Sequence, residues 1–276
     1  MSEVPVALTI AGSDSGGGAG IQADLRTFAF HRVHGTSAIT CVTAQNTLGV
    51  DRVDALPAAA VAAQCQSVVR DIGVHAAKTG MLLNDEIMVA VAEEIETLSI
   101  PNLVVDPVMV SRTGARLIDD DAIAVLCESL ISQATIVTPN HYEAQLLSEW
   151  GIDGVEDMKR AAEKIYELGA SAVLVKGGGM LKECWGTDVW FDGDRMKVLK
   201  ADRIETKNTH GTGCTLSAAI AANLALGKPL LKAVQAAKDY TTEAIRHSFD
   251  LGEGQGPIGH FLGLDQRKSH SSKKHH

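Results

Sequence analysis

"KNTHGTGCTLSAAIAANLALG", residues Lys207 to Gly227, decides how this chain is to be read. Gly211 and Gly213 free the backbone for a tight turn, and Ala218, Ala219, Ala221 and Ala222 then favour helix strongly. A glycine turn feeding a helix N-terminus is an anion site, because unpaired N–H groups and the helix dipole point the same way. Thr212 and Cys214 stand inside that turn. A thiol at such a position is expected to have a lowered pKa. The competing reading is a buried cysteine in a tightly packed helix.

Working outward, short apolar runs alternate with helical patterns. Val6 to Ile10 reads as a strand running into a loop, Gly12 to Gly20, and Ile21 to Phe30 has helical spacing. Ser37 to Val42 is strand-like. Ala58 to Val69 is helical after Pro57, a start signal. Val74 to Lys78 reads as a strand and Asp85 to Leu98 as a helix. "NLVVDP" is a buried strand ending at Asp106, Asp119 to Leu130 is helical, and "ATIVTPN" is a strand. Tyr142 to Trp150 and Met158 to Leu168 are helical, and "SAVLVKGG" is a strand. Asp188 to Leu199 alternates around Asp192–Gly193, a hairpin signal. Helices from Cys214 and from Leu230 close the domain. This alternation predicts an α/β fold with a mainly parallel sheet covered on both faces. Ligands in such sheets sit beyond the carboxyl ends of the strands.

The bulk properties narrow the function. A chain of 276 residues, 45% hydrophobic, suits one large α/β domain or two small ones, and no linker or internal repeat divides it. A single domain over residues 1–266 is expected, with a polar basic tail, Arg267 to His276, that is too hydrophilic to order. A net charge of −9 argues against nucleic acid or anionic membrane as partner. The 5 cysteines are scattered, odd in number and without a C-x-x-C pair, which fits a reduced, cytoplasmic protein without structural zinc. No leader pattern and no apolar run of membrane length is present.

"GSDSGGGAGIQADL", Gly12 to Leu25, has 5 glycines in its first nine residues. No Gly-Lys-Ser/Thr follows, so it is not a P-loop. Gly18, Gly20 and Ala23 satisfy a dinucleotide fingerprint, but the acidic residue that fingerprint needs after the next strand is missing from "CVTAQN". Close approach of backbone to a small ligand explains the glycines better than a flexible turn. In "TAQNTLGV", Gln45 offers a donor and an acceptor, which suits a heterocycle edge; a capped turn is the alternative. "VVDPVM" exposes Asp106 at a strand end, where a carboxylate can help hold hydrated magnesium. "TPNHYEA" sets Asn140 and Glu143 three apart on one helix face, a spacing that suits water-mediated Mg²⁺, although Asn140 also fits a helix cap. "VLVKGGG" places Lys176 beside a flexible backbone, plausible for phosphate. Together these read as a nucleotide–Mg²⁺ kinase without a P-loop.

With those residues assembled, the chain resembles the hydroxymethylpyrimidine/phosphomethylpyrimidine kinases of thiamine biosynthesis, in the ribokinase-like superfamily. The resemblance runs from about Val6 to His260 and rests on the Ala7–Phe28 stretch (with Arg26 in place of lysine), "VTAQNT", "KTGML", "DPVM", "TPN", "VKGG", "TKNTHGTGCTLSAA" and "GPIGHF". It implies a three-layer α/β/α sandwich, a homodimer, ATP and Mg²⁺. It implies a pyrimidine site of Gly12, Ala19, Asp24, Gln45, Met81 and Val108, with Cys214 near the hydroxymethyl group. It matches Asn140 and Glu143 to the superfamily's N-x-x-E magnesium motif, sets Asp106 near the metal, and matches Gly211, Thr212 and Gly213 to its anion hole. Cys214 replaces the aspartate base of many superfamily members, a departure that the pyrimidine kinases share. The rivals are a pyridoxine or pyridoxal kinase, a dehydrogenase using the Gly18–Ala23 loop, and a non-catalytic ligand-binding protein.

Overall fold

A computed structural model describes residues 4–109, 118, 120–178 and 184–261. The tail from Arg267 and the start of the helix expected at Asp119 lie outside the described residues. The first half contains β1 (Val6–Asp14), α1 (Gly20–Phe30), β2 (His34–Gln45), β3 (Val50–Ala55), α2 (Ala58–Asp71), β4 (Ala76–Thr79), α3 (Asp85–Thr97) and β5 (Leu103–Val105). The second half contains α4 (Asp120–Val125), which continues as a π-helical turn (Leu126–Leu130), then β6 (Ile136–Val137), α5 (His141–Ser148), α6 (Val155–Tyr166), β7 (Val173–Lys176), β8 (Thr187–Phe191), β9 (Met196–Lys200), α7 (Thr212–Ala225) and α8 (Leu230–Arg246).

One nine-stranded sheet runs in the order β3-β2-β1-β4-β5-β6-β7-β8-β9. The six strands from β2 to β7 are parallel. β3 pairs antiparallel with β2 at one edge, and β8 and β9 run antiparallel at the other. The chain leaves β1 for β2 and β3, then returns to β4 on the other side of β1. That reversal opens a crevice at the carboxyl ends of β1 and β4, where a doubly wound sheet binds ligands.

Successive side chains of a strand face opposite sides, so each strand feeds two cores. Leu8, Ile10, Leu103 and Val105 pack among residues of α2 to α6. Ala7, Val104 and Ile136 pack among residues of α1, α7 and α8. These two cores make the sandwich expected from the alternation. α7 is an extreme case: every residue from Thr215 to Ala225 is buried. Its many alanines let it lie close to the sheet while α1 and α8 cover it.

Three local differences from the sequence reading have physical causes. β1 runs on to Asp14, through what reads as loop, because pairing with β2 continues across a register shift between Ala11 and Ser13. β3 escapes periodicity analysis because all six of its residues are exposed. α5 starts at His141, one residue earlier than its apolar pattern suggests, because Asn140 caps it.

Candidate active site

The glycine turn and α7 sit over the crevice. Gly211 has φ +84°, and any side chain there would collide with the Gly18 carbonyl, so the position demands glycine. No side chain caps the helix at Gly211, which leaves its positive end for a ligand. The nearest charge is a cation: a methyl group on Gly213 would lie 3.4 Å from the Lys176 ammonium and 3.9 Å from Asp106.

Asp106 follows β5 and Lys176 ends β7. They form an ion pair at 2.9 Å, almost out of water. The other Asp106 oxygen accepts from the Ser217 hydroxyl of α7 at 3.1 Å. Burial works to raise the Asp106 carboxyl, but the Lys176 and Lys78 cations outweigh it and hold it below the ordinary carboxylate range.

Asn140 and Glu143 form a reciprocal cap. The Asn140 side chain accepts the Glu143 N–H at 3.0 Å, and Glu143 accepts the Asn140 N–H at 2.8 Å. The second Glu143 oxygen accepts the Met109 N–H at 3.1 Å. Burial raises the Glu143 carboxyl, against the pull of Lys176. Among the described residues no cluster of three or more His, Cys, Asp or Glu could hold a metal by itself. With their oxygens occupied, Asp106 and Glu143 do not form a dedicated cage. They do fit a hydrated Mg²⁺ that arrives on phosphates and is reached through water, the mode this ion favours.

Cys214 is half-buried in the first turn of α7. Its thiol is shifted up, not down: burial dominates, and the Lys78 cation only partly offsets it. The lowered pKa expected from the helix N-terminus is therefore corrected. Desolvation of a thiolate, with the Asp24 and Asp106 charges adding to it, sets the direction here.

The pyrimidine residues fall into two groups. Gly12 stands against Cys41 and Met81; an added methyl would meet their sulfur and terminal carbon at 2.7 and 3.0 Å. Ala19 donates its N–H to Asp14 at 2.8 Å. Gln45 lies with its amide nitrogen 3.5 Å from the His210 ring. Val108 has φ +45°, a strained conformation for a β-branched residue and of the kind found at ligand clamps. Asp24 differs. Its side chain is fully buried, paired with Lys78 at 3.0 Å and accepting from Thr9 at 2.6 Å. Burial raises its carboxyl, with Lys78 opposing.

Sequence reasoning gave no specific role to Asp14, Lys78, Ser217 or His210. Each lies inside a motif quoted above, but only folding shows that Lys78 meets Asp24 and that His210 meets Asp14. The Gly16–Ala19 loop is the main surprise. Its N–H groups point inward to the Asp14 carboxylate at 2.8 to 3.1 Å. They are not free for a dinucleotide phosphate, which removes the basis of the dehydrogenase reading.

A helix N-terminus open to an anion and flanked by a lysine suits phosphoryl transfer, and the sheet that carries it is that of the ribokinase-like kinases. The pyridoxal kinase of Bacillus subtilis, solved as an ADP complex, is 41% identical and superposes with a TM-score of 0.87 over 94% of this chain and 98% of that one. The phosphomethylpyrimidine kinase of Clostridium difficile is 43% identical, with a TM-score of 0.79 over 87% of this chain and 99% of that one. The chain belongs to the phosphomethylpyrimidine kinase family, whose description it matches over residues 14–259. It is 62% identical to the hydroxymethylpyrimidine/phosphomethylpyrimidine kinase of Synechococcus elongatus over 261 residues, 95% of this chain and 99% of that protein.

Proposed function

We propose that the protein transfers the γ-phosphoryl group of ATP to 4-amino-5-hydroxymethyl-2-methylpyrimidine, and then a second one to the resulting monophosphate, in thiamine biosynthesis. One observation carries this reading: Gln45, suited to a heterocycle edge, approaches His210, the residue that precedes the anion turn. A pyrimidine on Gln45, between Gly12, Met81 and Val108, would direct its hydroxymethyl group towards Cys214. Gly211 and Gly213 would receive the transferring phosphoryl group on their N–H groups, the Thr212 N–H being donated to the Thr209 carbonyl at 3.3 Å, and Lys176 would neutralise its charge. Asp106, Asn140 and Glu143 would hold a hydrated Mg²⁺, which would supply neutralisation of phosphate charge.

With its thiol shifted up, Cys214 is protonated at neutral pH. Its role would be a relay late in the transfer: the sulfur takes the hydroxymethyl proton as the thiol proton passes to an oxygen of the transferred phosphoryl group, a modest demand in a loose transition state. A homodimer in the cytoplasm fits the same family resemblance. The apolar residues exposed at the β2–β3 edge, Val42, Leu48, Val50 and Val53, offer a surface for it. Among the described residues no helix is long and apolar enough to cross a membrane.

The similarity to pyridoxal kinases makes pyridoxal a second substrate to test. An ADP-release assay with hydroxymethylpyrimidine, its monophosphate and pyridoxal decides. Turnover of both pyrimidines in preference to pyridoxal is expected. Turnover of pyridoxal alone would transfer the site to the vitamin B6 reading.

A further inference from the structure

Asp14, at the end of β1, binds two loops at once. One oxygen accepts the Gly16 N–H at 2.8 Å. The other accepts the N–H groups of Gly18 and Ala19 at 3.1 and 2.8 Å and pairs with His210 Nε2 at 2.9 Å. The hydrogen bonds to Asp14 hold its carboxyl below the ordinary range against the opposing effect of burial, with His210 the largest contributor. The fit is close, since any side chain on Gly18 would run into the His210 imidazole. His210 is also pinned through its backbone. Its N–H donates to Gly256 and its carbonyl accepts from Ile258, both at 3.2 Å.

An imidazole held this way has one orientation, with Nε2–H donated to the carboxylate. That settles what Gln45 meets. Its amide nitrogen, a donor, lies 3.5 Å from the same Nε2, which is also a donor, so neither satisfies the other. On the far side, the single Thr43 hydroxyl hydrogen has two acceptors in reach, the Ser13 carbonyl at 2.9 Å and Gln45 Oε1 at 3.1 Å. Gln45 is confined by its neighbours, and among the described residues the contact of its amide nitrogen is His210 Nε2.

We propose that His210, locked by Asp14, is a positioning residue for substrate recognition: it keeps the Gln45 N–H groups turned to a heteroaromatic ring nitrogen of the ligand, and it joins that recognition to the transfer turn that starts one residue later. This deepens the pyrimidine reading and rests on it.

A mutant cycle measured by calorimetry, with hydroxymethylpyrimidine as titrant, tests the idea. Binding to the parent protein comes first; its absence would sink the pyrimidine reading itself before any variant is made. H210A is expected to weaken binding about tenfold, a typical coupling between contacting residues. H210Q, which keeps an N–H at similar reach, recovers most of that loss. In a Q45L background, H210A should cost nothing further, because it acts through Gln45. Additive losses in the double variant, or full affinity in H210A, overturn the proposal. Should H210A fail to fold, D14N replaces it in the same cycle. D14N keeps the shape of the loop but removes the charge, and non-additivity with Q45L again decides.

Discussion

The molecule has two glycine-rich turns, each leading into a helix, and they do opposite things. The Gly16–Ala19 loop before α1 wraps its N–H groups around Asp14, a carboxylate of its own chain. The Gly211–Gly213 turn before α7 has no side-chain cap, and the charge beside it is the Lys176 ammonium. A turn of exposed N–H groups is an anion site in either case. What differs is whether the anion is built in. On the proposed function, the filled turn would wall a neutral heterocycle and the open turn would receive phosphate.

Removing the cation beside the open turn should have the largest effect. Lys176→Met is expected to lower kcat by about 10²–10³-fold, the range seen when one stabilising donor is lost from a transition-state site. The pyrimidine KM should change little. Steady-state kinetics with saturating ATP checks this, and a drop of only a few fold would mean that the backbone turn suffices without Lys176.

Cys214→Ala probes the same turn more gently. The first acceptor is a neutral hydroxymethyl group that must lose a proton, whereas the monophosphate is already largely dianionic at neutral pH, with a second pKa near ~6. The first phosphorylation should slow by about 10–100-fold, towards the low end of proton-transfer catalysis, and the second should be nearly unchanged. Because burial raises the thiol pKa, any thiolate contribution to the first step should grow as pH rises through and beyond the ordinary thiol range, and be lost in C214A. Equal losses in both steps would reduce Cys214 to a packing residue.

In the filled turn the effect should fall on stability. Asp14→Asn leaves at least the Gly16 N–H facing an amide nitrogen and removes the charge that four donors share, a loss of about 1 kcal/mol. Urea unfolding measures it. Full stability in the variant would mean that an external anion takes over the loop and that the two turns are less different than they look.

The smallest effect links the turns. His260 is buried against Thr215, in the first turn of α7, with Nε2 and the hydroxyl 2.8 Å apart. Burial, helped by the Arg26 cation, lowers its pKa to about 4. An unfolded histidine titrates near ~6.5, so between those values the unfolded chain binds the extra proton. Stability from this group is complete above about 6.5 and is lost as pH falls towards 4, with a slope of at most about 1.4 kcal/mol per pH unit. Unfolding at pH 7 and pH 5 should show that slope in the parent protein and a shallower one in H260N.

How much of this was legible depended on what each residue answers to. Period and composition report local burial, so the strands, the long helices and the layering were readable, and exposed β3 was not. Residue type at a strand end reports reachable chemistry, so Gln45, Asp106 and Lys176 could be proposed from sequence. Charge pairs across the sheet leave no local trace. The family resemblance proposes Asp24 at the pyrimidine, and nothing near it in sequence reveals its pairing with Lys78. The thiol of Cys214 was misjudged for the same reason, since helix position is local and desolvation is not. For the loop after β1, glycine spacing shows that backbone can approach closely but not that its N–H groups gather around Asp14.

One consequence of α7 concerns how the enzyme can change over evolutionary time. Most of the helix is small side chains, all of them buried from Thr215 to Ala225. Trimming them offers almost nothing, since an alanine has no methylene to give up. Enlarging them forces α7 off the sheet, and the transfer turn at its head moves with it. The helix is therefore a poor source of variation, and inherited differences in rate or substrate preference must arise in the loops that face it.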